Sequence, residues 1–505
     1  MKRRIFLSGT AATAAGAATA WYSGGTRDAA ASTGDSLAFP RTAYTTATKT
    51  VTTADGSQKR VTYRLWQNVV YVSRPVDATY QSLKVEEPFE IDGKAVNASR
   101  APIFFYIPIG GFMAGTASGN TGGGGGTPTP GPTNGPLPPG AGDRGRNAEL
   151  ALAAGYVVVT SGARGRNNVK DGTYYGKAPA GIVDLKAALR YIHRNRGSLP
   201  GNPSKIITNG GSAGGAFSAV LGASAGSPLF EPYLQEIGAA KASDAVFASA
   251  CFCPIIDLGN ADKAYEWMFG SAELSGALVD QVASKELASQ FAAYQASLGV
   301  RGINRFGRVT AANYDRYLLE NYLRPAATHR LRSLSTADRA AYLTANPFIT
   351  WSGSKASFTW DGFIEHVGRS RSLPAFDDKN MAQPEPGYFG DATRNARHFT
   401  DFGLRYATGD STATVDSDIP HKVRLVNPMH YLSQENPRRA RRWWLRIGTS
   451  DTTHSLTAIT NLALKTQNLG DEVNFKMFWD GGHGANDDPG DMITWMGRIT
   501  GYAAR

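Results

Sequence analysis

Cysteine is nearly missing from this chain: its 505 residues hold two, Cys251 and Cys253, in the stretch Ala250-Cys251-Phe252-Cys253-Pro254. That count excludes a fold stapled by several disulfides. Two apart on an apparent core strand, the side chains would face one way, and a bridge would close a small, strained ring. Both are read as buried free thiols. Long apolar runs are absent too, so no membrane span is expected where about 18 consecutive apolar residues would be needed. Acidic residues are outnumbered, 42 against 53 Lys and Arg, for a formal net charge of +11. The basic residues are scattered, however. The densest cluster, Arg438-Arg439-Ala440-Arg441-Arg442, precedes a strand candidate and is accompanied by no nucleic-acid motif. It is read as a solvated loop, and nucleic acid is not expected as a partner.

What the chain has in quantity is length and apolar content, 42% of it hydrophobic, enough for a full α/β core and an inserted domain. Residues 1–31 read as a twin-arginine export signal. Lys2-Arg3-Arg4-Ile5-Phe6-Leu7 leads into a mild Ala/Thr/Gly-rich stretch with small-residue cleavage sites at Ala18-Thr19-Ala20 or Ala29-Ala30-Ala31. The expected location is therefore secreted or in the cell envelope. Residues 115–142, with Gly122 to Gly126 and alternating Thr-Pro and Gly-Pro steps, read as a disordered loop.

The most informative motif is Gly210-Gly211-Ser212-Ala213-Gly214, a G-x-S-x-G pattern between the apolar run Lys205 to Asn209 and a helix start at Ala216 to Ala223. Strand, sharp turn and helix would lift the Ser212 hydroxyl above a parallel sheet. A serine hydroxyl needs a base, and the base needs an orienting acid. Both follow late strands here. Trp443 to Gly448 runs into Thr449-Ser450-Asp451, and Val473 to Trp479 runs into Asp480-Gly481-Gly482-His483-Gly484. The 32 residues from Asp451 to His483 leave room for one helix, near Thr457 to Leu469. The main rival base is His454, three residues past Asp451, and the rival acid is Asp480. His193 is read as a surface residue of a helix near 180–194. His329, His366, His398, His421 and His430 precede the proposed acid, and none follows a late strand into a Gly-rich loop. Oxyanion donors are expected from the backbone of Ala213 and from Gly110 or Gly111, after the strand Ala101 to Pro108.

Alternating strands and helices imply a mostly parallel sheet. Val61 to Trp66 and Val69 to Val72 read as a pair of antiparallel lead-in strands, Tyr156 to Thr160 as a buried strand, and Leu274 to Leu298 as a long helical stretch. The expected fold is α/β, an α/β-hydrolase with a catalytic domain over 40–256 and 399–505. A lid over 257–398 is inserted between its strands, and the aromatics Trp351, Phe358, Trp360 and Phe363 are assigned to the lid core.

Taken together these stretches resemble the bacterial tannases. The likeness runs through Asn68 to Asp77, Gly110-Gly111-Phe112-Met113, Ser161 to Gly165, Gly211 to Gly215, Cys253 to Leu258, Ala261 to Trp267, Pro374-Ala375-Phe376-Asp377, Gly448-Thr449-Ser450-Asp451 and the His483 loop. The resemblance implies hydrolysis of galloyl esters by a triad of Ser212, Asp451 and His483, with no metal or organic cofactor. It also implies a lid site where Lys, Glu and Asp bind the ring hydroxyls. Glu385 looks like that glutamate, while the lysine position carries Arg371 and the aspartate position Thr453. Those departures point to altered discrimination among aromatic acids. The expected partner is a small aromatic ester. Feruloyl or other aryl esters, a peptidase on the same fold, and a binding protein that retains the scaffold are the alternatives. Fungal tannases and related feruloyl esterases carry linked cysteines before the serine and histidine. This chain has Gly211 and Gly482 there.

Overall fold

Short unbroken apolar runs, among them Pro102-Ile103-Phe104-Phe105-Tyr106-Ile107 and Val157-Val158-Val159, leave no polar face to present to water. Such strands are stable only when covered on both sides, as in a parallel sheet. The computed structural model describes residues 36–119 and 146–503. The expected leader and residues 120–142 of the Gly/Pro-rich loop lie outside them. In chain order the main strands are β1 (Thr45–Thr52), β2 (Gln58–Val70), β3 (Ser82–Ile91), β4 (Pro102–Ile107) and β5 (Val157–Ser161). β6 (Asn202–Gly211), β7 (Ala248–Phe252), β8 (Arg442–Gly448) and β9 (Glu472–Phe478) follow. They form one sheet in the order β1-β2-β3-β5-β4-β6-β7-β8-β9, with the short strand Lys94–Ala95 added beside β3. β5 through β9 in that order run parallel, whereas β1, β2 and β3 join antiparallel. This is the α/β-hydrolase architecture expected. Helix Arg146–Ala153 packs with Pro489–Thr500, and Ala180–Arg194 with Ala213–Ala223.

Several local expectations are corrected. The two lead-in strands are one, β2, because Asn68 at φ 55° makes a bulge that shifts the register between Trp66 and Val69 without ending the strand. The helix expected from Leu274 starts only at Gln281. Asp280 caps it, accepting from the amides of Val282 and Ala283, while Leu274 and Ala277 close a tight turn before it. The Gly/Pro-rich loop does not begin at Gly115. That residue exchanges two backbone hydrogen bonds with Ala163, 3.0 and 2.9 Å, so 115–119 are part of the fold. His193 is half-buried, and its Nε2 lies 2.9 Å from the Ala245 carbonyl. Cys251 and Cys253 are buried free thiols, and burial pushes Cys251 up to about 12.

The long connection between β7 and β8 carries the insertion, including helices Leu258–Phe269, Gln281–Leu298, Thr336–Ala345, Trp360–Val367 and the short turn Pro384–Tyr388. Its aromatic core runs into the sheet. Phe358 and Phe363 pack against Trp479, just past the end of β9, at ring separations of 5.1 and 6.1 Å. From Leu37 onward the described residues accordingly form one compact unit.

Candidate active site

Ser212 sits where β6 becomes helix Ala213–Ala223, at φ 57° and ψ −124°. A non-glycine residue adopts this backbone only when its surroundings hold it there. Here the Ser212 amide donates to the Phe252 carbonyl at the end of β7 (2.9 Å), and its own carbonyl accepts from Ala216 (2.9 Å) and Ile255 (3.3 Å). Gly210 is required by space, since a Cβ there would come within 2.3 Å of the Gly214 carbonyl oxygen. The amide of Gly214 donates to Ile109 (2.9 Å), tying the helix to the loop after β4. Along that loop Gly111 and Phe112 take φ 53° and 55°. Among the described residues, the amides of Gly110, Gly111 and Ala213 have no backbone acceptor, which leaves all three as candidate donors to an anion.

The loops after β8 and β9 bring the other two residues in. Thr449 donates to Phe478 (2.8 Å) and Ser450 to Gly481 (3.0 Å), and the loops are so close that a Cβ on Gly448 would collide with the Gly481 carbonyl. His483 Nε2 lies 2.9 Å from Ser212 Oγ and its Nδ1 lies 2.9 Å from Asp451 Oδ2. Asp451 is 1% exposed. Burial opposes charge on His483, but the Asp451 carboxylate, with Cys253 beside it, outweighs that and raises the imidazole above its ordinary value. Burial works against Asp451 as well, yet His483 and the Thr453 hydrogen bonds bring its carboxyl below the usual range. The structure thus brings Ser212, His483 and Asp451 into one hydrogen-bonded line. Cys253 Sγ is 3.9 Å from His483 Nε2. Cys253, Asp451 and His483 supply the one group of three possible metal ligands among the described residues. In this arrangement His483 Nδ1 faces Asp451, while Nε2 faces Ser212 and Cys253.

Both rivals are placed elsewhere. His454 is buried with Nε2 on the Ile256 carbonyl (2.9 Å) and Nδ1 accepting from the Ser455 amide (2.8 Å). Both nitrogens are committed to a neutral ring, and burial pushes it down to about 4. Asp480 faces away from His483: its carboxylate accepts from Tyr342 (2.5 Å) and lies 2.8 Å from His366 Nε2. It joins the histidine loop to helices Thr336–Ala345 and Trp360–Val367 of the insertion.

The residues expected to meet an aromatic ring divide. Arg371 and Glu385 come together at 3.3 Å, with Glu385 only 2% exposed. Arg371 Nη1 also donates to the Ala375 carbonyl (3.1 Å) and Gln383 (3.3 Å), and its guanidinium lies over Phe376. Thr453 does not join them. Its hydroxyl is 2.5 Å from Asp451 Oδ1 and 2.8 Å from His483 Nδ1, because the turn Asp451-Thr452-Thr453 folds the side chain back over the acid. Sequence reasoning passed over Arg166. Its Nε donates to the Gly111 carbonyl (2.8 Å) and its amide to Phe112 (2.8 Å). Burial pushes Arg166 below its ordinary value, against the pull of Glu385. The signal was present in Arg164-Gly165-Arg166: Arg164 is consumed by a buried pair with Asp184 (2.9 Å), whereas Arg166 turns to the loop after β4. Tyr265 was also missed. Its hydroxyl donates to Thr452 (2.9 Å) and accepts from the amides of Ser370 and Arg371, coupling the Arg371 segment to the acid loop.

Comparison with known proteins finds ester hydrolases. A family model described as BD-FAE matches residues 145–293. Esterase LipQ of Mycobacterium tuberculosis is 37% identical over 90 residues, 18% of this chain and 20% of that protein. Carboxylesterase NlhH of the same organism is 36% identical over 102 residues, 19% of this chain and 32% of that protein. The matches thus span a fifth to a third of these curated relatives. Solved structures match far more. The tannase of Fusobacterium nucleatum superposes with a TM-score of 0.75 at 30% identity, covering 92% of this chain and 99% of that one. A tannin acyl hydrolase in complex with ethyl gallate gives 0.76 at 31%, covering 92% and 98%. The tannin acyl hydrolase from Lactobacillus plantarum gives 0.75 at 30%, with the same coverage. Among the described residues, no helix is long and apolar enough to cross a membrane.

Proposed function

Because this chain belongs to the bacterial tannase family, we propose that it is a serine esterase that cleaves galloyl or related hydroxybenzoyl esters through an acyl-enzyme. The observation that carries this reading is the line from Ser212 Oγ to His483 to Asp451, with 2.9 Å at both steps. As Ser212 Oγ attacks the ester carbonyl, its proton passes to His483 Nε2, and the Asp451 carboxylate holds Nδ1–H and the charge that forms. The carbonyl oxygen becomes an oxyanion that accepts from Ala213 and from Gly110 or Gly111, each such donor supplying about 10²–10³ in turnover. His483 then protonates the departing alcohol. Water repeats the sequence on the acyl-serine and releases the aromatic acid.

The Arg371–Glu385 pair offers a donor and an acceptor to ring hydroxyls, while Thr453 has its hydroxyl engaged elsewhere. That difference favours broad use of hydroxybenzoyl esters over strict gallate selection, since discrimination against a missing hydroxyl depends on a site group left unpaired. The enzyme acts outside the cytoplasm after twin-arginine export. Replacing Arg3 and Arg4 by lysine is expected to hold the precursor in the cytoplasm, and undiminished export would remove that part of the reading.

Ser212→Ala is the direct test. It is expected to lower ester hydrolysis by about 10⁶, the scale of losing a triad serine, and to abolish labelling by a serine-directed organophosphonate. Labelling at another residue, or substantial turnover by the variant, overturns the mechanism. Rates on methyl gallate, methyl ferulate and methyl 4-hydroxybenzoate then define the acyl preference.

A further inference from the structure

Thr453 occupies the position where the family resemblance implies an acid for the substrate ring, yet its hydroxyl is committed to the triad. A hydroxyl has one proton and two lone pairs. Asp451, as a carboxylate, can only accept, so the contact of 2.5 Å uses the Thr453 proton on Oδ1. A lone pair of Thr453 Oγ1 then faces His483 Nδ1 at 2.8 Å, and the ring N–H is shared between Thr453 and Asp451 Oδ2 at 2.9 Å. The Thr453 amide donates to the same Oδ1 (3.1 Å), an Asx turn that fixes the hydroxyl's direction. Next to it, the Thr452 carbonyl accepts from Tyr265 (2.9 Å) and Ser370 (2.7 Å), so the peptide between acid and threonine is gripped from the insertion. A β-branched side chain on such a backbone has little rotamer freedom.

Resting on the serine-esterase reading above, we infer that Thr453 is a positioning residue of the catalytic machinery, holding Asp451 and His483 in register, and does not contact the substrate ring. The hydroxyl satisfies the acid's second oxygen, and its lone pair faces the ring nitrogen that must keep its proton. Nε2 is thereby left to accept from Ser212. The side chain has no proton left to donate to a ring hydroxyl, and the Asx turn holds its oxygen on the triad, so its effect falls on the chemical step and is blind to how many hydroxyls the acyl ring carries.

The test compares Thr453→Val, which keeps the shape and removes the hydroxyl, with Thr453→Ser, which restores it. Kinetics are measured on methyl gallate and methyl 4-hydroxybenzoate, together with the rate of inactivation by an organophosphonate. The valine variant is expected to lose about 10- to 100-fold in kcat on both esters, the scale of one charge-assisted hydrogen bond. KM is expected to stay within about two-fold, an outcome of uniform loss in the chemical step. Phosphonylation of Ser212 is expected to slow to a similar degree, and serine to recover most of both rates. A loss confined to gallate and expressed in KM assigns Thr453 to the ring and overturns the inference. So does full activity of the valine variant, or a serine variant as slow as valine. If valine fails to fold, Thr453→Ala takes its place with the same expected outcomes. Turnover by Ser212→Ala would instead overturn the underlying mechanism, so the two failures are told apart.

Discussion

Replacing Asp451 and Asp480 one at a time by asparagine asks which carboxylate serves the histidine, because each lies close to His483 in the chain or in space. Asp451→Asn keeps the shape but puts an amide where Oδ2 accepts from His483 Nδ1 at 2.9 Å. An amide nitrogen there would favour the wrong imidazole tautomer, and the expected loss in kcat is about 10⁴. Asp480→Asn removes a carboxylate that lies 2.8 Å from His366 Nε2 and 2.5 Å from the Tyr342 hydroxyl. The side chains of His366 and Asp480 are 11% and 15% exposed, so solvent screens part of the pair. Asparagine can still accept from one of the two. The loss is then one hydrogen bond to a charged group, about 1.5–3 kcal/mol before screening, and it falls on stability. Because Thr449 Oγ1 also accepts from the Asp480 amide (2.9 Å), the backbone before His483 stays anchored, and turnover is expected to fall by less than about tenfold. Ester hydrolysis under saturating substrate gives kcat, and denaturant unfolding at neutral pH gives the stability change. A loss of about 10³ or more for Asp480→Asn, with Asp451→Asn nearly active, would refute the assignment and the geometry behind it.

Glu385→Ala is expected to erode the preference for methyl gallate over methyl benzoate while slowing the benzoate ester little. Equal losses on both would make Glu385 a structural partner of Arg371, a result read directly from paired kcat/KM values. His454 is buried neutral and lowered to about 4 from 6.5. The unfolded chain therefore binds the extra proton first, and the stability it contributes is present above pH 6.5 and lost as pH falls toward 4, by about 3 kcal/mol at most. His454→Asn is expected to show a smaller loss of unfolding free energy between pH 7 and 4.5 than the parent chain, and an equal or larger loss contradicts the neutral assignment.

Local sequence carries the parts of this protein that depend on neighbours in the chain. Gly210 and Gly214 around Ser212 announce a turn that only small residues can enter. Unbroken apolar strands demand a sheet covered on both faces, and the helix expected at 457–469 forms at Leu456–Asn468. The order of serine, acid and histidine after successive strands is likewise readable, because parallel strands deliver their ends to one edge. The destinations of side chains across the fold are not. Whether Asp480 or Asp451 meets His483 depends on which way each loop turns, and Tyr342 and His366, more than a hundred residues earlier, claim Asp480. His454 is removed from contention by the Ile256 carbonyl. Arg166 reaches the Gly111 loop, while Arg164 two residues earlier pairs with Asp184. The family resemblance implied that Thr453, two residues past Asp451, meets the substrate ring. Its one proton goes instead to the nearer carboxylate, since the turn that brings Asp451 to His483 also folds the Thr453 hydroxyl onto both. Chain order determines which residues arrive at the sheet's edge. Competition among partners distant in sequence, settled only when the loops pack together, decides which of them meet.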